Sequence, residues 1–402
     1  TTRGNVRNGW TALEYLPVRA PHEYPTVCRT IDEIIDTGID TVSYVVGDCA
    51  VLLYDTKVGE IWGDNHDLLD SDVWYKAAFN VRMMIDSGYD PLQVVLEHTH
   101  ARGLKFIPHL LLNMVHSEPS RVTSGRVATY NTQHPEWVVG PEPDYPEAVE
   151  DNPNRMSYSV REIRENRLSV IHELVTDYQS DGIELNFNTY TPLIARREVP
   201  EHTETLTNWM RQIRQTVDTA AETQGRPKRI IARVAASVAG NKSMGHDIEA
   251  WVRGGLVDTI VAMPGGGDFS SETTRLQELV EVANTGSIPV IVGLDSVGSD
   301  QTALTHRAAA VNAYAAGAQG VMYHRYYPPS RRYPYSNDDY ARLRYLAYPD
   351  IMAHKDKTFY VGPGTDRRSG ISFGLQEQLP QELSVGERGR DCLLYTSDAA
   401  DE

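Results

Sequence analysis

The chain has 402 residues, and its 38 Lys+Arg against 55 Asp+Glu leave a formal net charge of −17. No run of eighteen apolar residues occurs, which excludes a membrane-spanning helix. An acidic surface with no basic stripe disfavours nucleic acid, and three cysteines are too few for a disulfide framework and match no zinc spacing.

The chain opens on Thr1 with no charged-then-apolar leader, so the compartment is open and an N-terminal piece is expected to be missing. From about residue 26, short β-branched runs alternate with helix-period segments. The predicted strands are TVSYVVG (41–47), LKFIPHLLL (104–112), GIELNF (182–187), RIIARVA (229–235), VDTIVAM (257–263), IPVIVGL (288–294) and QGVMYH (319–324). Helices are predicted over about 27–37, 160–178, 303–316 and 338–347. The second places Val160, Ile163, Ile171, Leu174 and Tyr178 on one face, interrupted by Arg167, and the third ends at Gly317.

Repeated strand–helix units argue for an α/β protein with a parallel sheet. An open doubly wound sheet is the alternative. The repeat, however, continues past six units and no Gly-rich dinucleotide fingerprint opens the chain. A (β/α)8 TIM barrel is therefore predicted, its first strand short or truncated and the seven visible strands being the second to the eighth. The barrel is expected over 1–350, with long loops at 48–78 and 113–158 on the face where barrel active sites are built. A β-rich domain should begin within 351–391. Residues 392–402 read in frame as a sequencing adapter and are expected to be a non-native tail; without them the charge is −14 and Cys28 and Cys49 remain.

In Asp181-Gly-Ile-Glu-Leu-Asn-Phe-Asn188 the apolar residues share one face, and Glu184, Asn186 and Asn188 share the other. The polar set should point into the barrel, where a carboxylate is costly unless paired or functional. Other strand ends carry Asp48, Asp295, His324 and Arg325, while His109 and Asn113 share a face of the third strand, with His116 just beyond. Two facing carboxylates would suit glycoside hydrolysis, one protonating the leaving oxygen and one attacking or activating water. Glu184 is the candidate acid/base, Asp295 its predicted partner and Asp48 the alternative. Aromatic residues in the predicted rim loops (Trp62, Trp74, Trp137, Tyr190, Tyr323, Tyr326, Tyr327, Tyr333, Tyr335) are of the type that stacks on sugar faces. Gly265-Gly-Gly267 reads as a loop rather than a phosphate cradle, since Asp268 adjoins it. His109, His116 and Asp48 lack a metal-ligand spacing, so no metal and no cofactor is predicted.

Several segments together resemble a known family: DTGIDTVSYVVGD, VLLYDTKVGEIWG, GLKFIPHLLLNMVH, HPEW at 134–137, DGIELNFN, HDIEAWVRGGLVDTIVAMP and NAYAAGAQGVMYHRYYP. Over roughly 26–350 the chain resembles the glycosyl hydrolase-like barrels, family 10-like glycosylhydrolases common in environmental and planctomycete-type bacteria. The resemblance implies a barrel, a carbohydrate substrate and often an exported protein. Members usually show DGIELD on the fourth strand; here Glu184 matches and Asn186 stands in place of the second acid.

The leading expectation is a glycoside hydrolase acting on a poly- or oligosaccharide. In it Trp62, Trp137, Tyr323 and Tyr326 line sugar subsites, and Asn186, His109, Asn113 and Arg325 bind hydroxyls. The alternatives are a catalytically silent carbohydrate-binding barrel, favoured by Asn186, and an unrelated barrel lyase or metal-dependent hydrolase.

Overall fold

A computed structural model describes residues 24–48, 51–64, 72–113, 128–142, 155–189, 191–263, 274–295, 303–324 and 343–359; at 24–26, 48, 72–74, 274, 295 and 324 the description is of the backbone. Helix α1 (Tyr24–Asp32) leads into β1 (Thr41–Asp48), the short strands β2 (Val51–Leu52) and β3 (Glu60–Ile61), and helices α2 (Asp72–Asp86) and α3 (Pro91–Ala101). Next come β4 (Lys105–Leu111), α4 (Thr129–Gln133), α5 (Arg161–Thr176), β5 (Gly182–Asn186) and α6 (Val199–Gln224). The remainder is β6 (Arg229–Ala235), α7 (Val238–Ser243), α8 (Ile248–Arg253), β7 (Thr259–Met263), α9 (Thr274–Asn284), β8 (Val290–Asp295), α10 (Ala303–Ala315), β9 (Gly320–His324) and α11 (Pro349–Ala353).

All nine strands belong to one sheet, ordered β3-β2-β1-β4-β5-β6-β7-β8-β9. From β1 through β4 to β9 every pairing is parallel, and helices make the crossovers that parallel strands require. From β1 through β4 to β9 the order follows the chain, and it reverses only at the edge, where the short β2 and β3 lie beyond β1; the parallel strands therefore lack the switch point of a doubly wound fold.

Alternation along each strand divides the core in two. Val42, Tyr44 and Val46 of β1, Phe106 and Leu110 of β4, and Ile183 and Leu185 of β5 pack with the helices. Their neighbours face the other way, and Ile107, Ile231, Val261, Met263, Ile291 and Met322 form one buried cluster drawn from β4 and β6 to β9. In a flat sheet β6 and β9 would lie about 14 Å apart, three strand spacings. Arg233 on β6 nevertheless reaches Met322 Sδ on β9 at 3.1 Å because the sheet curls into a (β/α)8-type barrel, in which the second to eighth strands are β1 and β4 to β9. The predicted first strand lies outside the described residues.

Predicted and observed elements agree closely where the periodicity is strong. The helix expected over 160–178 is α5, and its charged interruption is buried for a reason: Arg167 Nε reaches the Leu112 carbonyl at 3.5 Å and its guanidinium lies over the Tyr130 ring. Helix α10 ends at Gly317, whose φ of +96° is the left-handed conformation expected there. The helix predicted over 338–347 is helical at 343–344 and has turned by 345, and α11 follows. Residues 356–359 carry no regular structure, and the rest of the expected β-rich domain lies outside the described residues, as does the tail.

The loop after β1 has its own architecture. Strand β2 returns antiparallel onto the end of β1, and β3 pairs parallel with β2. Between them the chain is pinned to α5: buried Glu173 accepts hydrogen bonds from Tyr54 Oη (2.6 Å), Thr56 Oγ1 (2.7 Å) and the Lys57 amide (2.5 Å). Burial first, then the Glu173 charge, pushes the Tyr54 hydroxyl well above its ordinary range, so it stays a donor. Trp62, Ala77 and Val81 then join Val45 and Leu111, from the inward faces of β1 and β4, in one buried cluster. The insertion thus covers this side of the barrel.

Candidate functional site

Glu184 does point into the barrel. At the centre of β5, its register partners are His109 on β4 and Ile231 on β6, and it is fully buried. Arg233 approaches from β6, donating from Nε to Glu184 Oε1 at 2.5 Å and adding a second contact from its terminal nitrogen. Ser43 Oγ, from β1, donates to Oε2 at 2.5 Å. Arg233 also reaches Met322 Sδ on β9 at 3.1 Å. One ion pair therefore ties β1, β5, β6 and β9 together across the interior. Glu184 was expected to face an open, sugar-sized hollow; in the structure both its oxygens accept hydrogen bonds and it is fully buried.

Sequence reasoning missed Arg233 and Ser43. A signal for Arg233 was present, because RIIARVA puts a charge in mid-strand on the same face as Ile231, beyond the Arg229 that opens the strand, beside the strand that carries the isolated Glu184. Two lone charges of opposite sign inside one barrel are each other's natural partners.

Asn186, one step nearer the strand end, organises a second network. Its Oδ1 accepts from the backbone amides of Asn188 and Thr189, both at 3.0 Å, which fixes the orientation of the side-chain amide. Nδ2 must then be the donor, to Thr189 Oγ1 at 2.9 Å and to His109 Nε2 at 3.1 Å. His109 Nε2 is accordingly an acceptor and its proton sits on Nδ1, which faces Glu184 Oε1 at 4.0 Å. Burial, and then the Arg233 charge, hold the imidazole well below its usual pKa range, so it is neutral and the 4.0 Å approach is no ion pair. Asn186 was expected to bind sugar hydroxyls together with His109; in the structure both are buried, Asn186 bonded to His109, to the Thr189 hydroxyl and to two backbone amides. Asn113 is also buried, and its amide both donates to and accepts from the backbone of Met156.

Two expected sugar platforms are core residues. Trp62 is 1% exposed, inside the cluster that covers the barrel. Tyr323, also 1% exposed, meets His306 of α10 edge-on and through a hydrogen bond of 2.6 Å to Nδ1, so it lies under the helix. Alternation in QGVMYH explains this, since inward-facing Met322 leaves Tyr323 on the opposite side. Trp137 is half-buried in a short 3-10 turn, with His134 stacked on one face at 3.7 Å.

Asp48 and Asp295 end β1 and β8, and Asp295 is the register partner of His324 at the end of β9. Trp74 stands in the first turn of α2. His116, Tyr190, the 265–267 glycines, Arg325, Tyr326, Tyr327, Tyr333 and Tyr335 lie outside the described residues. Among the described residues no three His, Cys, Asp or Glu are grouped to hold a metal ion, and no helix is long and apolar enough to cross a membrane.

The opposite end of the barrel is built for stability. Asp181, just before β5, bonds the Phe106 amide (2.8 Å), His100 Nε2 (2.8 Å) and Arg226 (2.5 Å). Burial alone would raise its carboxyl, but these donors together hold it below the ordinary range. Gly182, with φ +148°, lies so close to β6 that a Cβ there would stand 2.1 Å from the Arg229 carbonyl oxygen.

The chain is similar to known proteins in fold and, over part of its length, in sequence. The α-L-fucosidase isoenzyme 2 of Paenibacillus thiaminolyticus superposes over 88% of this chain and 49% of its own, with a TM-score of 0.53 and 11% identity. The glycoside hydrolase domain of PgaB (BpsB) from Bordetella bronchiseptica matches 88% of this chain and 100% of its own, with a TM-score of 0.48 and 12% identity. The glycosyl hydrolase YngK of Bacillus subtilis (strain 168) is 28% identical over 124 residues, 30% of this chain and 22% of that protein. The chain thus spans about a fifth of the curated relative and half of the fucosidase. The family model for glycosyl hydrolase-like 10 matches residues 26–305, more than two thirds of the chain, and on that match the protein belongs to the glycosyl hydrolase-like 10 family.

Proposed function

We propose that this barrel is a glycoside hydrolase acting on a poly- or oligosaccharide, with its acid/base chemistry carried by strand-end carboxylates rather than by Glu184. The observation behind this is the buried Ser43–Glu184–Arg233 network: Glu184 is fully buried and both its oxygens accept from neighbouring strands, so it offers no open face to a leaving oxygen or an incoming water. Asp295 and Asp48 end parallel strands on the face where barrel enzymes do their chemistry. One would protonate the glycosidic oxygen as the bond to the anomeric carbon breaks; the other would attack that carbon or take a proton from the incoming water. Glu184 serves as the counter-charge that holds Arg233. Trp137, with Arg325 and Tyr326, would contact sugar.

The test is hydrolysis of a panel of soluble cello-, chito-, malto- and fuco-oligosaccharides by the wild type and by Asp295→Asn, Asp48→Asn and Glu184→Gln. Loss of turnover in Asp295→Asn with retained glycan binding is the expected result, and full turnover in both aspartate variants would reject the assignment.

A second reading rests on Asn186. An uncharged amide with its hydrogen bonds satisfied fills the inward position nearest the end of β5, which suits a carbohydrate-binding barrel without turnover. Glycan affinity with no product from any member of the panel would favour it.

A further inference from the structure

Helix α2 presents an aromatic pair that the chemistry above does not use. Tyr75 and Phe79, four residues apart and so on one face, are 60% and 37% exposed. Their rings lie stacked, 6.2 Å between centroids and 19° between planes. The opposite face of the helix is anchored: Ala77 and Val81 are buried with Trp62 and with inward-facing Val45 and Leu111 of the barrel. The same helix carries exposed Lys76 and Asp86, and Arg82 paired to Asp64.

We propose that Tyr75 and Phe79 form an accessory carbohydrate platform, on which a polysaccharide chain stacks its pyranose faces outside the catalytic region. The proposal rests on the carbohydrate-directed reading given above. Sugar faces rich in C–H groups pack on aromatic rings, and flanking charged groups supply the hydrogen bonds that sugar hydroxyls need. Stacking of the two rings on each other restrains them before any ligand arrives, so little side-chain freedom is lost on binding. A second protein chain fits poorly: two rings offer roughly 150–250 Å² each, against about 800 Å² per partner in a stable interface. The rigid seat of α2 on the barrel wall would hold an insoluble chain near the strand ends while the chemistry proceeds elsewhere.

The experiment is a depletion assay of the full chain on microcrystalline cellulose, chitin and granular starch, comparing wild type with Y75A/F79A. Soluble-oligosaccharide hydrolysis and thermal unfolding are run in parallel. The wild type should be retained by at least one solid, with about tenfold weaker retention of the double variant. Its turnover of soluble substrates and its melting temperature should be unchanged, since both side chains are exposed. Equal retention of the two proteins, or no retention of the wild type on any solid, overturns the platform. If the wild type still hydrolyses soluble glycans in that case, the enzymatic reading stands alone; if it neither binds nor cleaves any glycan, both fall. A concentration-dependent dimer lost in the variant would also overturn the platform, by assigning the rings to a second copy.

Discussion

Replacing Glu184 with Gln removes one charge from the barrel interior and leaves Arg233 buried without its counter-ion. A guanidinium cannot shed its proton in this range, so the protein cannot escape the cost by titration. Breaking a fully buried pair in this way costs about 3–5 kcal/mol, and that is the expected loss of unfolding free energy in urea titrations, with little dependence on pH between 5 and 8. Arg233→Met should behave differently. It leaves a carboxylate, which can take up a proton, so its penalty should shrink as the solution is made acidic. Removing both charges, in Glu184→Leu/Arg233→Met, should recover most of the stability, because neither ion then needs a partner. The reasoning is refuted if Glu184→Gln abolishes hydrolysis while its unfolding free energy stays within about 1 kcal/mol of the wild type. That outcome would make Glu184 a reactive acid and the ion pair incidental.

Other consequences can be checked separately. Neither ring nitrogen of buried His246 has a hydrogen-bond partner among the described residues, and burial pushes its pKa down to about 3. Its packing on Phe187 and Trp251 suggests that His246→Phe will gain about 1 kcal/mol of stability, and a lower urea midpoint would contradict this. His109 and His246 are both neutral when folded, so the unfolded chain binds their protons first. Stability present above about pH 6.5 should be lost as the pH falls below it, at up to about 1.4 kcal/mol per pH unit for each histidine, and an acid limb flat from pH 6.5 to 4.5 would reject this. Asn186→Asp replaces the donor to His109 Nε2 with an acceptor and should bring a proton onto Nε2; nitrogen NMR that shows the ring protonated in the same way in the wild type and the variant would overturn the tautomer assigned above. Gly182→Ala drives a Cβ into the β6 backbone and should cost about 3 kcal/mol or more, with an unchanged melting temperature as the contrary result.

The barrel was legible because its signals are local. Each strand is a short β-branched run, and helix period or a glycine stop marks the segments between, as at Gly317. Alternation in GIELNF was enough to turn Glu184 inward. What alternation along one strand lacks is the identity of the residue across the barrel: Arg233 lies 49 positions away and Ser43 lies 141 away, so the sequence showed a buried acid without its partners. Two of the aromatic residues show a related limit. Trp62 and Tyr323 are of the residue types that stack on sugars, but the same apolar area, folded against Val45 or α10, is core. Residue type alone does not distinguish the two fates; the direction of the side chain does, and at Tyr323 the strand period supplied it.

The hold of Glu173 on Tyr54, Thr56 and the Lys57 amide limits how this protein could be re-engineered. Barrel loops are commonly treated as interchangeable parts, swapped between scaffolds to alter specificity. This one is fastened by a glutamate more than a hundred positions downstream, on another unit's helix, so transplanting 51–64 alone would leave its anchor behind. A chimera would have to carry both pieces, or the donor loop would reach its new host with nothing to grip.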